Sequence, residues 1–191
     1  MKIAALILAA GMSSRMGTAK QLLPYKQNTL LGWAIEHAVK SEVNTVYCVL
    51  GANATEIASS ISKYPIETIH NPNYQNGLSS SIISGIEYIK ALDYDAVLML
   101  LCDQPNVDAT YINTLLSKFK SNPNYIVASS YKNRKGVPAV FPKEQFSNLL
   151  NLKDDKGAKL LLNSTDSSVI TVETPIDLFD IDTPDDYKNL K

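Results

Sequence analysis

The chain has 191 residues, the size of one ordinary domain, and we expect a single domain over residues 1–191. Apolar residues make up 45% of the sequence and charged residues 19%, which is typical of a globular protein. Eighteen Lys and Arg against 19 Asp and Glu leave a formal net charge of −1. This balance argues against a nucleic-acid-binding or membrane-surface protein, because both need a basic excess.

The amino terminus and the cysteines predict a cytoplasmic protein. The first apolar run stops at Gly11, and a polar loop follows it. This pattern disfavours a signal peptide. No apolar stretch approaches the ~20 residues of a membrane span. Cys48 and Cys102 each lie in an apolar strand-like run, so we expect buried thiols rather than a disulfide or a metal site.

Four runs rich in Val, Ile and Leu predict buried strands. In chain order they are Ile3–Leu8, Thr45–Leu50, Ile66–Ile69 and Ala96–Leu101. Apolar residues at helical spacing predict helices around Leu31, Ala34, Ile35 and Ala38, around Ile82, Ile86 and Ile89, and around Tyr111, Ile112, Leu115, Leu116 and Phe119. Asp108 is placed to begin the last of these helices.

Further along the chain, Tyr125–Ser130 and Ala139–Phe141 flank the polar turn Lys132–Gly136, which predicts a hairpin or an edge excursion. Alternating strands and helices predict an α/β protein with three layers, α/β/α, and a mostly parallel sheet. Ligands bind such sheets at the carboxyl ends of the strands. This rule selects four loops: after the first strand, after Ile69, after Leu101 and near the carboxyl terminus.

The first loop runs from Leu8 to Lys20 and is rich in small residues. Its backbone could approach a ligand closely, and free N–H groups with Arg15 and Lys20 would hold phosphates. Gly17 precedes Thr18, so the loop is not a P-loop, and the chain has no Gly-x-Gly-x-x-Gly fingerprint. A solvated turn with two surface cations is the alternative interpretation.

The second loop runs from His70 to Gly77, and Ser79, Ser80 and Ser81 then open a helical pattern. Serine hydroxyls and free N–H groups at a helix start either cap the helix or bind a ligand. Three serines after an Asn-rich loop favour recognition of a base or sugar about as much as capping.

The remaining two loops carry carboxylates. Asp103 emerges from a buried run, where a carboxylate is costly unless it is paired or bound to a cation. We favour Mg²⁺, which takes oxygen ligands and bridges phosphates, over a turn or N-cap role for Asp103 next to Pro105. Asp180 and Asp182 alternate along the chain, so we expect only Asp182 to face the shared site. Pro184 then begins a helix whose acidic first turn is explained by capping.

Several other residues that could carry chemistry are predicted to have structural roles instead. His37 falls in a helical pattern and His70 at a strand end, and neither has a Cys or His partner at zinc-like spacing. The chain has no Gly-x-Ser-x-Gly nucleophile elbow. Lys153–Lys156 is most simply a solvated turn.

These loops together resemble those of the nucleotidyltransferases that act on molybdenum cofactor, and in particular their cytidylyltransferase branch. The resemblance covers nearly the whole chain and implies a Rossmann-like fold of the nucleotide-diphospho-sugar transferase type. The matching segments, in order, are Leu8-Ala9-Ala10-Gly11, Ser14-Arg15-Met16-Gly17 with Lys20, Asn71–Ser81, Cys102-Asp103-Gln104-Pro105, Gly136–Phe141, Asp155-Lys156-Gly157-Ala158 and Asp180-Ile181-Asp182-Thr183-Pro184.

Two details favour the cytidylyl branch. Guanylyl-transferring relatives typically have Leu-Ala-Gly-Gly, whereas Ala10 is the second small residue here, and Lys20 follows Gly17 at the shorter spacing of cytidylyl-type members. The methyl group of Ala10 leaves less room beside the base and so favours a pyrimidine. Asp154 and Lys159 depart from the family pattern of Gly and Arg, and Lys keeps the charge without the bidentate fork of Arg.

The resemblance implies Mg²⁺-dependent transfer of CMP from CTP to molybdenum cofactor (molybdopterin), with release of pyrophosphate. Arg15, Lys20 and Asp103 would be catalytic, and Asp103 and Asp182 would hold the metal. The nucleotide would contact Leu8, Ala9, Ala10, Gly11, Ser14, Lys20, Asn71, Gly77, Ser79 and Ser80. The acceptor would lie near Gly136–Phe141, and a molybdoenzyme would be a further partner.

Two alternatives stay open. A sugar-phosphate or other small-acceptor nucleotidyltransferase would use the same scaffold and the same nucleotide loop. A nucleotide-binding accessory protein of a molybdoenzyme would bind CTP without releasing pyrophosphate.

Overall fold

The computed structural model describes residues 1–131, 134–164, 168–173 and 176–190. The strands in these ranges are Ile3–Leu8 (β1), Pro24–Tyr25 (β2), Asn28–Thr29 (β3), Thr45–Leu50 (β4), Glu67–His70 (β5), Ala96–Leu101 (β6), Ile126–Tyr131 (β7), Arg134–Pro142 (β8) and Val169–Val172 (β9). The α-helices are Leu30–Lys40 (α1), Ala54–Ile61 (α2), Leu78–Lys90 (α3), Ala109–Lys120 (α4), Phe146–Leu150 (α5), Lys159–Asn163 (α6) and Pro184–Lys188 (α7).

Seven strands form one sheet in the order β5-β4-β1-β6-β8-β7-β9, and β2 pairs with β3 in a separate hairpin. β1 is parallel to β4 and β6, β4 is parallel to β5, and β7 is parallel to β9. β8 runs antiparallel to its neighbours β6 and β7. The predicted, mostly parallel sheet is therefore confirmed, with β8 as the reversed strand among the described residues.

The central strand β1 separates two hydrophobic clusters. Its residues alternate between them, with Ile3, Ala5 and Ile7 in one cluster and Ala4, Leu6 and Leu8 in the other. Apolar faces of α1, α2 and α4 fill the first cluster, and those of α3, α5 and α6 fill the second. Helices thus cover both faces of the sheet, which confirms the three layers and the prediction that β1 is buried on both faces.

The predicted bounds of β1, β4 and β6 are confirmed, whereas β5 lies one residue further along than predicted. β5 is an edge strand with only Ile69 buried, so its apolar pattern defines its ends poorly. The predicted hairpin is confirmed by the pairing of β7 with β8. However, β8 already begins at Arg134, and the predicted turn residues Lys132 and Asn133 lie outside the described residues.

The parallel strands bring the predicted loops to one edge of the sheet. Leu8, at the end of β1, pairs with Val49 of β4 and with Leu101 of β6. The carboxyl-terminal segment joins this edge because the N–H group of Ile181 donates to the carbonyl of Asp103 at 3.0 Å. Residues far apart in the sequence therefore meet where β1 and β6 end.

The two thiols are buried and unpaired, as predicted for Cys48 and Cys102. Burial raises the pKa of Cys48 to about 12 and also raises the pKa of Cys102. In the described ranges we find no helix with the length and apolar character needed to cross a membrane.

His37 has the structural role expected from the sequence, because it connects α1 to the start of α4. Its Nδ1 accepts a hydrogen bond from the N–H group of Ala109 at 3.1 Å, and its ring packs against Trp33 with centroids 4.4 Å apart. The Trp33 indole donates to the carbonyl of Pro105 at 2.9 Å, so α1 supports the loop after β6. Burial, followed by the charge of Lys40, lowers the pKa of His37.

We expect mild acid to destabilise the protein through His37. The folded-state pKa lies below the ordinary value of 6.5, so the unfolded state binds more protons between these two values. Stability is therefore fully present above pH 6.5 and is lost as the pH falls towards the folded-state pKa. Protonation of Nδ1 removes the acceptor of the Ala109 N–H group, which costs on the order of 1 kcal/mol.

Urea unfolding at about pH 7.5 and pH 5.5, which span the ordinary titration range of histidine, measures this loss. His37→Gln should lose less stability than the wild type over this interval, because its amide stays neutral. His70→Gln, at an exposed position, is the matched control. Equal acid sensitivity of His37→Gln and the wild type would contradict the assignment.

Candidate active site

The loops at the carboxyl edge of the sheet enclose a cavity of about 410 Å³. Its walls come from the loop after β1, the loop after β5 with the start of α3, the loop after β6, and the residues Asp155, Asp180 and Asp182. The predicted site residues that line it are Leu8, Ala9, Ala10, Gly11, Ser14, Arg15, Lys20, Gly77, Asp103 and Asp182. The fold therefore brings most of the predicted residues to one place.

A buried glutamine that the sequence analysis missed holds the loop after β1. Gln21 is 1% exposed, and its amide nitrogen donates to the carbonyls of Ala9 and Gly11 at 2.9 and 3.0 Å. Its Oε1 accepts from the hydroxyl of Ser13 at 3.3 Å. Because these bonds engage the loop's carbonyls, the loop offers mainly N–H groups to a ligand, as phosphate binding requires.

Lys20 lies between the two predicted metal ligands. Its Nζ contacts Oδ2 of Asp103, and it donates to Oδ1 of Asp182 at 3.1 Å and to the carbonyl of Ile181 at 3.2 Å. An Nη atom of Arg15 lies 3.0 Å from Oδ2 of Asp182. The side chains of Lys20 and Asp103 are 15% and 9% exposed, so solvent screens their ion pair weakly.

Burial and charge oppose each other in this cluster. Burial by itself lowers the pKa of Lys20, but the charge of Asp103 outweighs it together with smaller contributions, and the pKa is raised. Burial is also the largest influence on Asp103 and raises the pKa of its carboxyl group against the attraction of Lys20. Lys20 is therefore cationic at neutral pH, and a neighbouring cation favours the ionised form of Asp103.

The charges that line the cavity suit a divalent cation whose coordination shell would be completed by a bound substrate. Among the described residues, the charged ones that line it are two cations, Arg15 and Lys20, and four carboxylates, Asp103, Asp155, Asp180 and Asp182, which give a formal charge of −2. Oδ1 of Asp103 is buried and has no hydrogen-bond partner in the described chain. A polyanionic substrate needs an additional cation in such a cavity.

The described residues offer few side-chain ligands for a metal ion. Among the described residues, no group of three or more His, Cys, Asp or Glu side chains is arranged to hold a metal ion. Asp103 and Asp182 converge on one cation position and could supply two oxygen ligands. Mg²⁺ is commonly held by one or two carboxylates, with water and substrate phosphates completing its octahedron.

The start of α3 presents a different serine from those predicted. Asn71 is fully buried and donates to the hydroxyls of Ser80 and Ser81 at 2.9 and 3.1 Å. Ser79 is buried and donates to the carbonyl of Lys153, and the hydroxyl of Ser80 donates to backbone carbonyls. Asn71, Ser79 and Ser80 therefore do not line the cavity, whereas Ser81 does. Successive helical residues point about 100° apart, so one of the three serines is directed inward.

Asp155 lines the cavity, which corrects the prediction that Lys153–Lys156 is only a solvated turn. Its Oδ1 accepts from the N–H group of Leu78 at 2.7 Å and so caps α3 from a distant part of the chain. Gly77 makes this approach possible, because its φ is +85° and a side chain there would collide with Asp155.

Asp180 and Asp182 both line the cavity, so the prediction that only Asp182 would face it is wrong. Residues 180–182 do not form a strand, and the alternation of strand side chains therefore does not apply. Asp180 accepts a hydrogen bond from Nε2 of Gln104 at 2.8 Å, and the same nitrogen donates to the hydroxyl of Tyr131 at 2.7 Å.

A second cavity of about 360 Å³ adjoins the first, and the two share Leu8, Leu78, Leu101 and Asp180. Much of its wall is apolar, and its basic lining residues are Arg134, Lys135, Lys156 and Lys159. Within the described ranges, none of these four side chains forms an ion pair. The described part of this cavity therefore combines an apolar interior with basic side chains.

The second cavity includes only part of the predicted acceptor face. Gly136 and Val137 line it, whereas Ala139–Phe141 is fully buried in the sheet. Lys159 lines it despite its departure from the family pattern, and the side chain of Asp154 lies outside what the structure describes.

A mostly parallel α/β sheet with a loop rich in small residues, two cations and paired carboxylates at its carboxyl edge is typical of a nucleotide-using enzyme, and the family match identifies a nucleotidyltransferase. The chain belongs to the family of MobA-like NTP transferase domains, whose model matches residues 5–169. The crystal structure of an Rv0371c homologue from Mycobacterium sp. strain JC1 is similar, with a TM-score of 0.88 and 29% identity, covering 100% of this chain and 96% of that one.

Curated relatives carry several names. The purine catabolism protein PucB of Bacillus subtilis (strain 168) is 29% identical over 94% of this chain and 91% of its own length. A probable molybdenum cofactor guanylyltransferase of Bacillus cereus (strain B4264) is 35% identical over 66% of this chain and 61% of its own length. The molybdenum cofactor cytidylyltransferase of Escherichia coli (strain K12) is 25% identical over 97% and 94%.

Proposed function

We propose that residues 1–191 form one Mg²⁺-dependent nucleotidyltransferase domain that transfers CMP from CTP to molybdenum cofactor, with release of pyrophosphate. The observation that carries this proposal is the convergence of Asp103 and Asp182 on one cation position beside the loop after β1. A family relative named for cytidylyl transfer to molybdenum cofactor supports the choice of substrates.

The first cavity would hold the nucleotide. Ala9, Ala10 and Gly11 would contact the base and ribose, and the N–H groups of the loop would face the phosphates. Asn71, Ser79 and Ser80 act indirectly in this proposal, since their hydrogen bonds shape the start of α3 and present Ser81.

The reaction is an in-line substitution at phosphorus. An acceptor phosphate oxygen forms a bond to the α-phosphorus of CTP, and the bond from that phosphorus to the β-phosphate oxygen breaks, so the electron pair leaves with pyrophosphate. Arg15 and Lys20 would neutralise the leaving pyrophosphate. Mg²⁺, held by Asp103 and Asp182 when bound, supplies charge neutralisation at the phosphates. Positioning and neutralisation of this kind dominate such reactions.

The second cavity would hold the acceptor. It shares Leu8, Leu101 and Asp180 with the first cavity, so an acceptor bound there would lie next to the nucleotide. Arg134, Lys135, Lys156 and Lys159 would attract an anionic acceptor, and the apolar wall would pack against its ring system. We place this activity in the cytoplasm, where the two buried thiols need no oxidising environment.

One assay tests the proposal. ATP, GTP, CTP and UTP are each offered with molybdenum cofactor and Mg²⁺, and pyrophosphate release is measured. We expect release with CTP that depends on both the cofactor and Mg²⁺. Release with sugar phosphates in place of the cofactor would favour the small-acceptor alternative. CTP binding without pyrophosphate release, in the presence of intact cofactor, would favour an accessory protein and overturn the proposal.

A further inference from the structure

Lys20 occupies the position that a divalent cation would take. An ammonium group has three N–H donors, and those of Lys20 meet three acceptors: the carboxylates of Asp103 and Asp182 and the carbonyl of Ile181. Its side chain is only 15% exposed. The hydrogen-bonding capacity of Lys20 is therefore satisfied in the absence of any ligand.

A metal ion and Lys20 cannot use these carboxylates in the same way at the same time. Mg²⁺ approaches its oxygen ligands to about 2.0–2.1 Å. The ammonium group already lies within hydrogen-bond distance of both carboxylates, and two cations at one point repel each other. Binding of the metal therefore requires Lys20 to move.

Lys20 loses its present acceptors if it moves before a nucleotide arrives. If the ammonium group left and no other cation replaced it, a buried carboxylate would remain unpaired, which is strongly unfavourable. Asp155 and Asp180 also line the cavity, where each accepts a hydrogen bond through Oδ1, from Leu78 and Gln104, respectively. A triphosphate would bring new anionic oxygens into the cavity, and these could accept the hydrogen bonds that Lys20 gives up.

We propose that Lys20 is a resident cation that keeps the divalent-metal site closed until a nucleoside triphosphate binds, so that metal and nucleotide bind cooperatively. This inference rests on the proposed function, because it assumes that Asp103 and Asp182 are the metal ligands. It adds a second role for Lys20, which compensates the carboxylates before it neutralises phosphate.

The proposal has a quantitative consequence. A binding-competent state that is only fractionally populated reduces the apparent affinity of its ligand by that fraction. If Lys20 leaves the carboxylates in roughly 1–10% of molecules, a neutral residue at this position raises metal affinity about 10- to 100-fold in the absence of nucleotide. Because coupling is reciprocal, the metal also raises nucleotide affinity more in the wild type than in such a variant.

The test measures binding and not turnover. Mn²⁺, which binds carboxylate oxygens as Mg²⁺ does, is titrated into nucleotide-free protein, and free Mn²⁺ is followed by electron paramagnetic resonance. Lys20→Met and Lys20→Gln remove the charge, and Lys118→Met is the matched control, because Lys118 is exposed on α4. Adding Asp182→Asn to Lys20→Met reports whether the bound ion uses the proposed ligands.

We expect weak Mn²⁺ binding by the wild type and by Lys118→Met, binding at least about tenfold tighter by both Lys20 variants, and loss of that gain when Asp182→Asn is added. With α,β-methylene CTP present, the Mn²⁺ affinities of the wild type and Lys20→Met should differ less than without it. The nucleotide itself chelates Mn²⁺, but it does so equally in both samples, so this effect cancels in the comparison. Tight, Asp182-dependent Mn²⁺ binding by the nucleotide-free wild type would overturn the inference without using any Lys20 variant.

Two further outcomes separate this inference from the proposed function. If both Lys20 variants fold but gain no affinity, while Asp182→Asn weakens Mn²⁺ binding in the nucleotide complex, the resident-cation role is overturned and the metal site stands. If Asp182→Asn changes Mn²⁺ binding in no protein, with or without the nucleotide analogue, the metal site of the proposed function fails as well.

Discussion

Replacing Asp103 by Asn should lower the turnover of pyrophosphate release by about 10²–10³ while the fold survives, which is the scale of losing one preorganised electrostatic group. Asn has nearly the same shape as Asp but lacks its charge. The variant therefore loses the negative charge that balances Lys20 and that would hold the proposed metal ion.

Steady-state pyrophosphate release at saturating CTP and Mg²⁺ measures this loss, and circular dichroism checks the fold. Asp93→Asn is the matched control, because the Asp93 side chain is 88% exposed and pairs with Lys2 near the amino end of β6. We expect the control to retain wild-type turnover. Unchanged Mg²⁺-dependent turnover in Asp103→Asn would remove Asp103 from the mechanism.

The elements predicted most accurately are the central strands. β1, β4 and β6 are continuous apolar runs buried on both faces, so sequence alone defines their ends. β9 was not predicted, because it lies at the edge of the sheet and none of its residues is fully buried. A short strand of this kind is stabilised by its pairing with β7, which the local sequence does not encode.

The position of the site could also be predicted, because the carboxyl ends of parallel strands meet at one edge. Its internal contacts could not. Lys20 and Asp182 lie 162 residues apart in sequence and touch only through the fold. Both residues can be identified from the sequence, but nothing in the sequence places the ammonium group between the two carboxylates.

Two further differences between the sequence-based prediction and the structure have local causes. Gln21 is buried directly after Lys20. The only sign of this in the sequence is that a polar residue stands immediately before the apolar pair Leu22 and Leu23. Ser81 rather than Ser79 faces the cavity because the rotation of α3 relative to the sheet decides which serine points inward. That rotation is set by the packing of Ile82 and Ile86 in the core.

The methyl group of Ala10 should control the choice between CTP and GTP. Ala10 lines the first cavity, is 3% exposed and is held by the hydrogen bond from the N–H group of Ala52 to its carbonyl, 3.1 Å long. Its carbonyl oxygen also lies close to Gly51, where a side chain would collide with it. In the proposed nucleotide complex this methyl group would narrow the space beside the base, which would disfavour a purine more than a pyrimidine.

Ala10→Gly should shift the ratio of kcat/KM for GTP to kcat/KM for CTP towards GTP by about 10- to 200-fold, the effect of roughly one carbon in a pocket. Pyrophosphate release with each nucleotide and molybdenum cofactor measures the ratio. Ala52→Gly is the matched control, since it removes the same group from a buried residue that does not line the cavity. A similar shift in both variants would mean that backbone flexibility, and not space beside the base, sets the preference. An unchanged ratio in Ala10→Gly would show that another part of the cavity selects the base.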